Sequence, residues 1–317
     1  MIKIGVSAPG KIHLLGEHAV VYGKPALLAA INKRISVTIN YSRNKQILGG
    51  QAYEKEIKQL LEILEEEIKK QTKIKKIEPY SIKINSQVPI GSGLGSSAAL
   101  SASFTAALLS LLKIPWDKKT IFNIAYTGEK FFHGNPSGGD LATAIEGGFL
   151  WFRKDFDFLK TFSHLPFNPH KNIKQFILIN SGKPEESTKE MVKKVSELKI
   201  SFPQKIQTLF DSQEELTKQM VIALRDGDED ALINCIKLGE QNLEKLGVVG
   251  KKAQILIREI EELGGAGKIN GGGGVKLGSG MLLVYHKDMK KILSYAKQKN
   301  LETLVIQTEK EGLRRDE

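Results

Sequence analysis

One cysteine, Cys235, stands among 317 residues, so an internal disulfide framework is excluded and a reducing compartment fits. Its expected place is half-buried on a helix. No apolar run approaches the length of a membrane span, and no charged-then-apolar leader precedes Pro9. The cytoplasm is therefore the expected location, with no membrane partner. Internal repeats and low-complexity tails are missing too. So is the concentration of lysines with interleaved aromatics that nucleic-acid binding calls for. The formal charge is +11, but the lysines spread along amphipathic stretches and alternate with acids, as in Glu54-Lys55-Glu56 and Glu65-Glu66-Glu67-Ile68-Lys69-Lys70. That is the pattern of solvated helix faces, with no nucleic-acid partner expected. The residual positive field favours anionic small molecules.

What is present is an ordinary globular composition, 41% hydrophobic and 26% charged, in a chain long enough for two domains. Strands are expected at residues 2–6, 34–41, 80–88 and 149–153, with Ala8-Pro9-Gly10 as a turn. Helical spacing runs over 53–70, from Ser97 to about 113, and over 118–133 with Asp117 as its N-cap. The helix from Ser97 is apolar on nearly every side and should lie buried between layers. Residues 154–172, with Pro166 and Pro169, carry the weakest pattern and place a domain boundary there, dividing the chain into 1–165 and 166–317. The second half reads as a strand at 176–180 and helices at 186–198, 204–225, 229–246 and 251–263. A glycine-rich segment follows at 264–280, then a strand at 281–285, a helix at 289–299 and a last strand at 302–307. Mixed strands and helices in both halves argue for a two-domain α+β protein.

The most informative segment is 89–99, Pro-Ile-Gly-Ser-Gly-Leu-Gly-Ser-Ser-Ala-Ala. Gly91, Gly93 and Gly95 remove side chains, so backbone N–H groups can close around an anion. The helix that follows aims the positive end of its dipole at the same spot. Pro89, Gly91, Ser92, Gly93, Leu94, Gly95, Ser96 and Ser97 are thus candidates for holding a nucleotide's phosphates. Two better-known loops do not fit. The frame from Gly5 to Lys11 has Ile12 where a P-loop needs a hydroxyl, and Pro9 inside it. In a dinucleotide fingerprint begun at Gly91, the last glycine would fall on Ser96. Asp226-Gly227-Asp228-Glu229-Asp230 mimics the start of a calcium loop, but Ala231 and Lys237 occupy its diagnostic sixth and twelfth positions, leaving a helix–helix loop.

Three further clusters surround this loop in sequence. Residues 9–23 pack Lys11, Glu17 and His18 among turn glycines. Gly134-Asn135-Pro136-Ser137-Gly138-Gly139-Asp140 ends a tight polar turn on an acid. Gly264 to Gly274 would let a second backbone segment approach a ligand closely. With these motifs in this order, the chain resembles the GHMP kinase superfamily and, within it, the mevalonate kinase branch. Gly16-Glu17-His18-Ala19-Val20-Val21-Tyr22-Gly23 is the most specific stretch, and the likeness covers most of the chain. The resemblance implies a ribosomal-S5-domain-2-like N-terminal domain and a ferredoxin-like C-terminal domain with the active site between them. It implies ATP and Mg²⁺ as cofactors, mevalonate as the small-molecule substrate, and a homodimer as a possible assembly. By position it makes Asp140 the catalytic aspartate with Lys11 beside it, and Ser97 and Glu129 the magnesium ligands. Glu17, His18 and Thr188 become substrate contacts, and Gly272 and Gly273 phosphate contacts. The third cluster departs from the family pattern: Asn270 stands where a threonine or serine is usual, and four glycines follow it.

The chemistry supports these roles separately. Phosphoryl transfer needs alignment and charge neutralisation more than covalent help. Asp140 can accept the proton of an attacking alcohol while Lys11 offsets developing charge. Read alone, Glu129 and His133 are one helical turn apart and make a surface pair, and His13 is a packed strand residue. Other acceptors, such as phosphomevalonate, homoserine or a sugar, fit the same motifs. A non-catalytic nucleotide- or RNA-binding protein of this fold would have no use for Lys11, Glu129 and Asp140 together.

Overall fold

The computed structural model describes residues 3–50, 53–134, 136–173 and 175–316. Strands β1 (Ile4–Leu15) and β2 (Ala26–Tyr41) form the antiparallel pair around which a first sheet grows. The strand expected at 2–6 is the start of β1, Ile2 lying outside the described residues. The turn expected at Ala8-Pro9-Gly10 is not formed. The strand continues through it, with a register shift between Pro9 and Lys11. Such an irregularity accommodates a residue without an N–H and changes the aim of the side chains that follow.

β2 is long enough to pair two strands along one edge, β5 (Phe149–Lys154) with its first half and β4 (Tyr80–Ser86) with its second. β3 (Gln46–Leu48) joins β4 in parallel, β6 (Lys160–His164) joins β5, and β11 (Arg314–Asp316) returns to the far side of β1. β6 lies inside the stretch expected to be an irregular boundary. β11 is a charged run with no alternation to read, so sequence reasoning stops short of it. Arg34 holds it in place. Its guanidinium donates to the hydroxyl and carbonyl of Ser7, both at 3.0 Å, and to the carbonyls of Glu311 at 3.0 Å and Gly312 at 2.6 Å.

Of helices α1 (Glu54–Thr72), α2 (Ser96–Leu111), α3 (Lys118–His133) and α4 (Gly139–Glu146), α2 lies directly on β1 and β2, α4 packs on β1, β2 and β5, and α1 and α3 pack on α2 and each other. α2 is buried almost all round, as its sequence requires, and its many alanines and serines let neighbours come close. At Gly128 an added Cβ would sit 2.6 Å from Leu60 and 2.8 Å from Ser101, so α1, α2 and α3 meet at that glycine. α4 was hidden from sequence by the glycines at its ends, Gly138 and Gly147, both left-handed. Asp117 caps α3 through the Thr120 N–H at 2.7 Å.

The second sheet is antiparallel, in the order β10 (Thr303–Gln307), β7 (Gln175–Asn180), β9 (Met281–Tyr285), β8 (Ala266–Ile269). β8 falls inside the glycine-rich segment, and being buried on both sides it shows no alternation. Its helices are α5 (Thr188–Ser201), α6 (Pro203–Asp226), α7 (Glu229–Lys245), α8 (Lys251–Glu262) and α9 (Met289–Gln298). α7 and α8 pack on β8, while α6 reaches β1 and β2. One hydrophobic cluster runs from Val6, Phe104 and Leu108 through to Phe176, Leu178 and Leu283, so the two sheets are fixed to each other by a shared core. Cys235 is fully buried on α7, and burial pushes its thiol up to about 11. Among the described residues no helix is long and apolar enough to cross a membrane.

Replacing Arg34 removes the four hydrogen bonds that its guanidinium donates to Ser7, Glu311 and Gly312. Arg34→Ala is expected to lower unfolding stability by about 2–4 kcal/mol in urea denaturation. A loss within ~0.5 kcal/mol would mean that β11 is held by its strand pairing alone.

Candidate active site

A cavity of about 820 Å³ opens where β1, the β4–α2 loop, the start of α4, the start of α5 and the segment after β8 converge. Lys11, Glu17, His18, Gly91, Gly93, Gly95, Ser96, Ser97, Glu129, Asp140, Thr188 and Gly272 all line it. Four expected contacts do not. Pro89 and Ser92 close a turn on themselves, the Ser92 hydroxyl donating to the Pro89 carbonyl at 2.6 Å. Leu94 is buried, and its carbonyl accepts the Lys11 N–H at 2.9 Å. Gly273 faces backward, where a Cβ would lie 2.2 Å from the Val248 carbonyl. Asn135 lies outside the described residues.

The loop reaches the strand because its glycines permit it. Gly95 is left-handed at φ 70°, and a Cβ there would lie 2.9 Å from the Lys11 side chain. Gly93, at φ 77°, would strike the Asn270 carbonyl at 2.3 Å. Gly95 is also the N-cap of α2, so that helix opens its N-terminus on the cavity beside Ser96 and Ser97. Asn270 ties the parts together: its side-chain oxygen accepts the His13 N–H at 2.8 Å and its amide donates to the Gly93 carbonyl at 2.9 Å. The unusual asparagine of the third motif thus joins β1 to the glycine loop.

At the centre, the Lys11 ammonium lies 3.1 Å from the Asp140 carboxylate and donates to His13 Nδ1 at 2.8 Å. Lys11 is 2% exposed and Asp140 29%, so the pair is sealed on the lysine side and open on the acid side. A second buried lysine, Lys268 on β8, is ion-paired with Glu17 and donates to the carbonyls of His13 at 3.1 Å and Ile269 at 2.7 Å. Glu240 of α7 lies behind it, accepting the Ile269 N–H at 2.9 Å, and burial raises its carboxyl well above the usual range. Sequence reasoning missed Lys268, Asn270 and His13 as parts of this site. The only available signal was a charged or amide residue inside an otherwise apolar or glycine run.

Three acceptors in the cavity wall are buried without a partner among the described residues: Glu17 Oε2, His18 Nδ1 and Glu129 Oε1. His18 Nε2 contacts the Gly272 carbonyl at 3.1 Å and must donate there, which leaves Nδ1 as a bare acceptor in the neutral ring. Burial holds His18 near that neutral form, lowering its pKa to about 4. Glu129 is not the surface residue its spacing suggested. It is buried, its carboxyl raised by desolvation and then by Asp140, with His133 Nε2 3.9 Å away and opposing the shift. His133 also lies 3.3 Å from the Ser97 hydroxyl. Gly272 admits Thr188, whose side chain is 3.0 Å from where a Cβ would stand.

A glycine cradle at a helix N-terminus, facing a lysine–aspartate pair across an open cavity, is the working arrangement of a GHMP-type small-molecule kinase. The model of the GHMP kinases N terminal domain matches residues 55–148. The mevalonate kinase of Archaeoglobus fulgidus is 32% identical over 98% of this chain and 99% of its own, and that of Pyrococcus abyssi 30% identical over 98% and 97%. The chain belongs to the mevalonate kinase family. In fold it is similar to L. major mevalonate kinase solved with R-mevalonate (TM-score 0.80, 21% identity, 95% of each chain). It is also similar to Lactococcus lactis galactokinase (TM-score 0.78, 14% identity, 98% and 95%).

The depressed His18 has a consequence for stability. The unfolded chain takes up this proton below the ordinary value of 6.5, while the folded protein resists it until about 4, so stability is lost as the pH falls through that window. His18 sits at φ 59° and ψ −47°, and asparagine is among the non-glycine residues most often found at positive φ. Relative to His18→Asn, the wild type should lose about 1.4 kcal/mol per pH unit across the window. Parallel denaturation curves at each pH would remove His18 from the acid response.

Proposed function

We propose that this protein transfers the γ-phosphoryl group of ATP to the primary hydroxyl of mevalonate, with Mg²⁺ bound at Ser97 and Glu129. The observation that carries the reading is the convergence of the Lys11–Asp140 pair, at 3.1 Å, on a cavity whose wall holds three unpartnered buried acceptors. Such acceptors call for hydroxyl donors and a cation. Kinship with the family supplies the choice of substrate.

Each residue then has a chemical task. The backbone N–H groups of the glycine loop and the α2 N-terminus hold the phosphates. The apolar wing of the same cavity, with Ile35, Tyr53, Ile57, Ile84 and Leu100, suits the flat face of a purine. Glu17 Oε2 and His18 Nδ1 accept from the substrate's hydroxyl groups and orient it, with Thr188 beside them. Asp140, exposed on the cavity side, accepts the proton of the attacking hydroxyl. Lys11, 3.1 Å from that acid, offsets the charge that develops on the transferred group. Glu129 Oε1 and the Ser97 hydroxyl are hard oxygen donors, the kind Mg²⁺ takes in ones and twos beside water and phosphate oxygens. When bound, that ion supplies neutralisation of phosphate charge. The division into two halves near residue 165 belongs to the same reading.

Measuring ADP release with mevalonate, phosphomevalonate, homoserine and galactose tests the substrate. Turnover with mevalonate is expected, and turnover with another member alone would reassign it. Asp140→Asn should bind ATP within about threefold of the wild type yet lose about 10²–10⁴-fold in kcat. Wild-type kcat in that variant would remove Asp140 from proton transfer.

A further inference from the structure

His13 is more than nine-tenths buried, lines the cavity, and has no place in the roles assigned above. It is held from both sides of its backbone, its N–H by Asn270 at 2.8 Å and its carbonyl by Lys268 at 3.1 Å. An ammonium has donors and no acceptor, so the 2.8 Å contact with Lys11 fixes the imidazole's state: Nδ1 must be the bare acceptor. The ring is neutral because burial, and then the nearby charges of Lys11 and Lys268, oppose a proton on it. In a neutral ring with Nδ1 bare, Nε2 carries the hydrogen. No described residue accepts that N–H, and Nε2 is not one of the fully buried atoms left without a partner, so it opens on the cavity that His13 lines.

We propose that His13 is a positioning residue for phosphoryl transfer: its Nδ1 fixes the direction of the Lys11 ammonium, and its Nε2–H donates to an oxygen of the alcohol substrate. Lys11 has three N–H bonds to distribute. One goes to His13 and one toward Asp140, leaving the third for the transferred group or the attacking oxygen. Without His13 the ammonium can rotate about its stem, and its placement against Asp140 is no longer unique. The Nε2–H adds a neutral donor to a cavity wall that also holds the acceptors Glu17 and His18, so an alcohol bearing both hydroxyl donors and an oxygen acceptor is matched on both counts.

The Nδ1 half is independent of the proposed function, and the Nε2 half rests on it. Ring-nitrogen NMR on the ligand-free protein, labelled at histidine, reads the first directly. The expected result at pH 7 is the Nε2–H tautomer of His13; a protonated Nδ1 would overturn the proposal. Kinetics read the second. In His13→Asn the amide oxygen stands near the position of Nδ1, so Lys11 keeps its acceptor while the donor at Nε2 is lost. Its kcat should stay within about threefold of the wild type, with the KM for the alcohol raised roughly tenfold. His13→Leu loses both functions, and its kcat should fall roughly 10–100-fold with the KM raised as well. Matching thermal unfolding of the variants separates this from misfolding. Equal kcat losses in the two variants, or wild-type parameters in His13→Leu, would overturn the positioning role. If the wild type turns over none of the four alcohols while His13 shows the expected tautomer, the kinase reading fails with the Nε2 half, and the Lys11 contact stands.

Discussion

Two ammonium groups are buried within reach of one strand, and the site is organised around compensating them. Moving an unpaired charge out of water costs several kcal/mol even after relaxation. Lys268, with no exposed surface, takes Glu17 and two backbone carbonyls, which uses all its donors. Lys11 takes His13 and Asp140 and has one donor left. The first lysine is therefore structural, locking β8 to the end of β1. The second is chemically available. That difference follows from the count of acceptors around each, and it is what turns one of two similar buried charges into a reactive one.

Neither lysine would reach its partners if the backbones around them stood at ordinary distances. Gly93 and Gly95 bring the glycine loop against Asn270 and the Lys11 stem, and Gly272 brings the segment after β8 against Thr188. Their replacement by alanine would separate the segments, besides straining the left-handed backbone at Gly93 and Gly95. α2 is the counterpart of this closeness. Its alanines and serines set it directly on β1 and β2, so the helix N-terminus arrives beside Lys11 with no adjustable linker between them.

Much of this was legible in the chain. The glycine loop, the apolar helix behind it and the capped helix bearing Glu129 each have local periodicity or punctuation, and their bounds were read to within a few residues. What escaped had no local signature. β8 is buried on both faces, β11 is charged throughout, and α4 is enclosed by glycines that read as loop. The turn at Pro9 failed because an irregularity in a paired strand uses the same residues as a turn. Spacing alone makes His13 a packed strand residue and Glu129 a surface residue, and only the family resemblance marks Glu129 as a metal ligand. Spacing places a residue on an element but does not say which face another segment, distant in the chain, will cover. The approach of α3 at Gly128 buries Glu129, and the approach of β8 and Asn270 buries His13.

The same covering decides what the cavity can recognise. The fold is shared with a galactokinase at a TM-score of 0.78, so the arrangement of sheets does not choose the acceptor. The choice falls to the few side chains whose polar atoms are left bare at the wall. Burial keeps His13 and His18 neutral and pushes Glu129 toward its protonated form unless a cation compensates it. A ligand that fills this wall therefore has to bring hydroxyl donors to Glu17 and His18 and positive charge to Glu129. Water can serve the first two, because it donates as an alcohol does. It carries no charge, so it does nothing to offset the burial that raises the Glu129 carboxyl.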